Sequence, residues 1–207
     1  METRTPTYCT AFEGTDRIAS GDLVQVALST KGVLDRGERA PVLIFDDATS
    51  ELIEVDFRGT AEDVLKRLEG SPYYAERLAP SPAEGEGTSP RGPGRPKLGV
   101  VAREVTLLPR HWEWLNGQPG GASVALRKLV EDARRANEGK DRLRKSQEAA
   151  YRFISAMAGN QPGFEEANRA LFAGDRLRFS DLTQDWPTDV RDHARKLADV
   201  VFQDAVK

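Results

Sequence analysis

Between Ala79 and Leu98 the chain reads "APSPAEGEGTSPRGPGRPKL", with five prolines and four glycines in twenty residues. Proline fixes φ and removes a backbone donor, while glycine withholds the side chain that packing needs. At this density neither helix nor sheet is expected. The stretch interrupts a 207-residue chain, long enough for one large domain or two small ones. Folded structure is therefore expected on either side of it.

On the amino-terminal side, Tyr8-Cys9-Thr10-Ala11-Phe12 alternates weakly and reads as an opening strand. Residues 22 to 33 predict a helix with Leu23, Val26, Ala27 and Leu34 on one face. Val42 to Phe45 and Leu52 to Phe57 predict two strands of a β-hairpin, the second with Ile53, Val55 and Phe57 on one face. Asp46 and Asp47 then read as turn formers rather than as paired carboxylates for a Mg²⁺ ion. Thr60 predicts a helix N-cap, with Glu62 and Asp63 in the first turn and Val64, Leu65 and Leu68 behind them.

Beyond the interruption, helical spacing dominates. Leu126, Leu129, Val130 and Ala133 recur at i, i+3, i+4 and i+7, as do Ala149, Ala150, Phe153, Ile154 and Met157. Val190, Ala194, Leu197, Ala198, Val201, Phe202 and Ala205 sustain the pattern over four turns, after Pro187 in a first-turn position. The expected class is α+β: a small acidic N-terminal α/β-mixed domain (1–78), a Pro/Gly-rich basic linker (79–98), a central segment (99–137) and a helical C-terminal domain (138–207).

Several functions are disfavoured. Met1 to Pro6 has no apolar core, so a signal peptide is not expected, and runs such as Val42 to Phe45 are too short to span a bilayer. A single cysteine, Cys9, precludes an internal disulfide, and a reducing cytoplasmic setting is expected; Cys9 itself reads as a small buried apolar residue. His111 reads as an exposed first-turn residue and His193 as a solvated side chain on the polar side of the last helix. Neither has partners at metal-ligand spacing, so no metal or cofactor is expected. No nucleophile elbow, phosphate loop or dinucleotide fingerprint is present, so no enzyme is expected.

Charge is unevenly distributed. Residues 1–89 carry 9 Lys/Arg against 17 Asp/Glu, a balance of −8. Residues 90–145 carry 13 against 6, a balance of +7, and residues 146–207 carry 8 against 10, leaving −3 for the whole chain. The middle is thus a candidate anion-binding surface in an acidic protein.

Within that middle, Gly99 to Val105 looks extended, Pro109 opens a short helix, and Gln118-Pro119-Gly120-Gly121 turns the chain. Ser123 then reads as the N-cap of a helix running to about Arg135. "EVTLLPRHWEWL" followed by "GGASVALRKLVEDARR" resembles the ribbon–helix–helix family, most closely its short-first-helix antitoxin members. A unit of that size does not bury its apolar face alone, and two copies pair their strands into a ribbon suited to the DNA major groove. The resemblance implies a homodimer through residues 100–108. It also implies base contacts from alternate strand residues and a phosphate at the amides of Ala122 to Val124. One register turns Ala102, Glu104 and Thr106 outward; the other turns Arg103, Val105 and Leu107 outward. Trp112 and Trp114, two apart, face nearly opposite sides, so one is expected to find cover on the C-terminal helices.

Upstream, Gly94-Arg95-Pro96-Lys97 with Arg91 resembles an AT-hook core, although Pro93 stands where that motif carries arginine; a bare cationic linker is the plainer reading. "APVLIFDDAT", "AAYRFISAMAG", "FEEANRALFAGD" and "DWPTDVRDHARKLA", together with the central stretch, are similar to a bacterial family designated domain of unknown function 2239. That likeness implies no particular activity. The expected function is a homodimeric DNA-binding protein, a transcriptional regulator or nucleoid-associated factor. Arg91, Arg95 and Lys97 would reach phosphates or the minor groove, Arg103 and Thr106 would sit on or beside the ribbon, and Arg110, Ser123, Arg127 and Lys128 near the backbone. The acidic N-terminal domain would hinder non-specific binding or recruit a protein partner. The alternative is an adaptor whose basic centre docks on an acidic protein surface.

Overall fold

The structure, a computed structural model, describes residues 8–37, 39–71 and 103–205. These fall into two units, one made of 8–71 with 139–205 and the other of 103–138. The first holds β1 (Tyr8–Glu13), β2 (Asp16–Asp22), α1 (Leu23–Asp35), β3 (Val42–Asp46) and α2 (Ala61–Glu69). The second holds α3 (Pro109–Asn116) and the start of α4 (Gly121–Ala158). The remainder of α4 returns to the first unit with α5 (Phe164–Ala173), α6 (Arg176–Leu182) and α7 (Thr188–Ala205).

The sheet is antiparallel with order β2-β1-β3. Because strand side chains alternate between faces, β1 supplies two cores. Cys9 and Ala11, with Ile44 of β3, are buried against Leu23, Val26 and Ala27 of α1 and Val64 and Leu68 of α2. Phe12 and Phe45 join the second core, formed with Phe153 and Ile154 of α4, Leu171, Phe179 and the buried stripe of α7. The sheet is therefore the middle layer of three. This corrects the expected division into separate domains at 1–78 and 138–207: the long C-terminal helices bury one face of the N-terminal sheet.

Local sequence explains most elements. Asp22 caps α1 through a 2.9 Å bond accepted from the Val24 amide. Thr60 and Asp63 form a reciprocal capping box at α2, and the Thr60 amide's hydrogen bond holds the Asp63 carboxyl below its usual range. Asp46 is a turn former as expected, its Oδ1 accepting from the Ala48 and Thr49 amides. Asp47 does more. It accepts from Thr10 Oγ1 at 2.6 Å and from Lys196 Nζ at 3.0 Å, tying the turn to both β1 and α7. Cys9 is buried, and desolvation, helped by the Asp47 charge, pushes its thiol up to about 12. It is an inert packing residue at neutral pH.

Three expectations are corrected here. The hairpin's second strand is reduced to an isolated bridge between Phe45 and Leu52 plus a bond from the Ile53 amide to the Ile44 carbonyl. Ile53, Val55 and Phe57 nevertheless turn toward the α1/α2 core, as their alternation implies. The edge strand β2 was not expected at all. His193, expected to be solvated, is 2% exposed and sits on the rings of Phe153 (4.5 Å between centroids) and Phe12 (5.6 Å).

Ser50 closes the Asp46 turn with φ +52°, in the left-handed region that favours glycine. Its amide donates to the Asp46 carbonyl at 2.8 Å, while its buried hydroxyl has no hydrogen-bond partner. Ser50→Gly removes both costs and is expected to stabilise the fold by on the order of 1 kcal/mol, raising the melting midpoint by about 2–4 °C. A lowered midpoint in calorimetry contradicts this account of the turn.

Candidate nucleic-acid interface

The unit of residues 103–138 starts with a segment, 103–108, that forms no strand. Residues 100–102 of the expected ribbon, together with Arg91, Arg95 and Lys97, lie outside the described residues. Pro109 then opens α3, where its missing amide costs nothing. At Gly120, φ is +84° and an added Cβ would lie 3.1 Å from the Val124 side chain, so the turn into α4 needs a residue without one.

α4 differs from expectation at both ends. It begins at Gly121, so Ser123 is not the N-cap but lies in the first turn, where its carbonyl accepts from Arg127 Nε at 3.1 Å. It ends at Ala158 rather than near Arg135, and its 38 residues cross the expected boundary at 137. Ion pairs along the helix sustain this length: Glu131 with Arg134 and Arg135, Asp141 with Arg144, and Arg144 with Glu148.

At about 100° per residue, Leu126, Leu129, Ala133 and Ala136 share one stripe of α4. Arg127, Glu131, Arg134 and Glu138 share the opposite stripe, flanked by Lys128 and Arg135. The apolar stripe is poorly covered: Leu129 is exposed, and neighbouring Val130 is 64% exposed. Val105, Leu108, Trp112, Trp114 and Val124 are exposed too. Leu115 alone is buried in this unit.

The expected site residues divide into groups. Arg103, Thr106, Arg110, Ser123, Arg127 and Lys128 are all exposed. Arg103, Arg110, Arg127 and Lys128 form no ion pair among the described residues. Arg134 is held to Glu131 by a 2.9 Å hydrogen bond that pushes the Glu131 carboxyl down and the Arg134 guanidinium up. Arg135 pairs with the same carboxylate. Residues 103–138 carry six Lys/Arg against five Asp/Glu, so the strong positive balance of the middle arises on its flanks, at Arg91, Arg95 and Lys97 and at Lys140 to Lys145. No group of His, Cys, Asp and Glu side chains able to hold a metal ion occurs among the described residues. No helix among them is long and apolar enough to cross a membrane.

The family model described as an uncharacterized protein conserved in bacteria (DUF2239) matches residues 8–198. The chain belongs to this family. The match spans residues of both units, not the centre alone. No curated protein and no solved structure matches the chain.

Proposed function

We propose that this DUF2239 protein is a homodimeric DNA-binding protein of the cytoplasm, a regulator or nucleoid-associated factor, in which residues 103–138 pair with a second copy. One observation carries the reading. A unit of 36 described residues leaves Val105, Leu108, Trp112, Val124, Leu129 and Val130 exposed beside unpaired arginines and a lysine, with one apolar side chain buried. Such a unit gains little from folding alone and much from a self-complementary partner. Pairing would cover the apolar stripe of α4 and leave Arg127 and Lys128 on the outer surface, within reach of a phosphate backbone. The twofold ribbon of residues 100–108 belongs to the same proposal.

A second reading is favoured by the charge count. With residues 103–138 nearly balanced and two of their arginines held by Glu131, the centre also suits an adaptor that docks on a protein. The two separate on one experiment. A gel shift of a 30-base-pair duplex is compared for the wild type, Arg91/Arg95/Lys97→Ala and Arg127/Lys128→Ala across salt concentrations, with mass measured by light scattering. The DNA-binding reading expects a dimer whose affinity falls by roughly one log-log unit per phosphate neutralised, with a shallower slope in each variant. A dimer that retards no duplex at low salt leaves the adaptor. A monomer removes the basis of the DNA-binding reading.

A further inference from the structure

We infer that Trp114 is a stacking platform for an unpaired nucleobase, with Arg110 beside it for the attached phosphate. The inference takes its ligand class from the nucleic-acid reading above and does not depend on the dimer. The N-cap Leu108 and, on α3, Trp112 and the buried Leu115 lie toward one side, the side available for pairing. At about 100° per residue, Trp114 stands roughly 160° from Trp112 and about 100° from Leu115, so a partner seated on the first side leaves it uncovered. Trp114 is 54% exposed, and no other ring packs on it among the described residues. Arg110, one turn earlier on the same face, is exposed and has no acidic partner among the described residues; His111, at i−3, is exposed as well. The platform's backbone is anchored where α3 ends, the Trp114 carbonyl accepting from Gln118 Nε2 at 3.2 Å.

A large, flat apolar ring with a fixed cation about one helical turn away matches a ligand that is itself a flat ring tethered to an anion. Single-stranded nucleic acid supplies that pair at every nucleotide, and stacking is tolerant of base identity because every base has a π-face. In a continuous duplex the bases are already stacked on one another, so Trp114 has nothing to add there.

The test uses the full chain, with fluorescein-labelled dT20 and a 20-base-pair duplex titrated in the same buffer. Intrinsic emission is recorded in parallel. Trp186 is buried, its indole N–H donating to the Pro162 carbonyl at 2.9 Å, so changes in emission report Trp112 and Trp114. Wild type is expected to bind dT20 with quenching. Trp114→Ala is expected to weaken dT20 binding about tenfold, leave duplex affinity within about twofold, and leave the salt slope unchanged; Trp114→Phe, which keeps a ring, recovers most of the loss. Equal dT20 affinity in wild type and Trp114→Ala, or binding without quenching, overturns the inference while duplex retardation stands. Loss of duplex binding with intact, Trp114-dependent dT20 binding overturns the duplex proposal instead. A Trp114→Ala variant with a lowered melting midpoint is read through Trp114→Phe against Trp114→Leu, and equal dT20 affinity in that pair also overturns the inference.

Discussion

Phe153→Ala is expected to lower the unfolding free energy by about 3–5 kcal/mol. Phe153 is fully buried at the point where α4 meets the sheet. Its ring lies 5.5 Å from Phe12 and 5.1 Å from Phe45, and 4.5 Å from the imidazole of His193, so strands β1 and β3 and helix α7 all lean on one side chain. Truncation removes the transfer free energy of the ring and several edge contacts, and opens a void between the packed layers. Native stabilities are only about 5–15 kcal/mol, so the variant should unfold at a much lower urea concentration, followed by circular dichroism. A loss below about 1 kcal/mol would mean that the C-terminal helices do not hold the sheet through this cluster.

That cluster also marks where the sequence was readable and where it was not. The stripes of α4 and α7 were visible as 3.6-residue spacing, and the caps at Asp22 and Thr60 as residue types with a single local use. The joining of Phe12 and Phe45 to Phe153 was not visible, because nothing in local pattern specifies which distant helix covers a sheet face. β2 escaped notice since Asp16 to Asp22 offers one large apolar residue, Ile18, and its hydrogen bonding to β1 rather than its burial makes it a strand. The extent of α4 was hidden by Gly139 and the polar run around it, where ion pairs substitute for a buried face. Of the candidate site, the cationic residues were legible as types. The pairing of Arg134 and Arg135 with Glu131 was legible only as spacing; the separation of Trp112 and Trp114 showed that they face different sides, but not that both are exposed. His193 was misread by chemistry over geometry: it stands three residues after Val190 and four before Leu197, squarely on the buried stripe.

The buried imidazole makes stability fall with acid. Burial pushes the His193 pKa down from 6.5 to about 4, with Lys196 and Arg17 adding to the effect and the Asp47 carboxylate opposing it. Neither ring nitrogen has a hydrogen-bond partner, so protonation would place an unpaired charge against Phe12 and Phe153. In the unfolded chain the histidine takes up a proton as pH drops through about 6.5, whereas in the folded chain it does so only near 4. Between those values the unfolded state binds more protons, so the free energy of unfolding rises with pH and is lost as pH falls, by about 3 kcal/mol in all. His193→Phe keeps an aromatic ring on the same neighbours and removes the titration. Urea unfolding at pH 7 and at pH 4.5 should then show the wild type losing roughly 2–3 kcal/mol more than the variant over that interval, since the carboxylates titrate in both proteins and cancel in the comparison. Parallel losses would mean that the imidazole is charged in the folded protein, and that α7 meets the sheet through a solvated contact rather than a dry one.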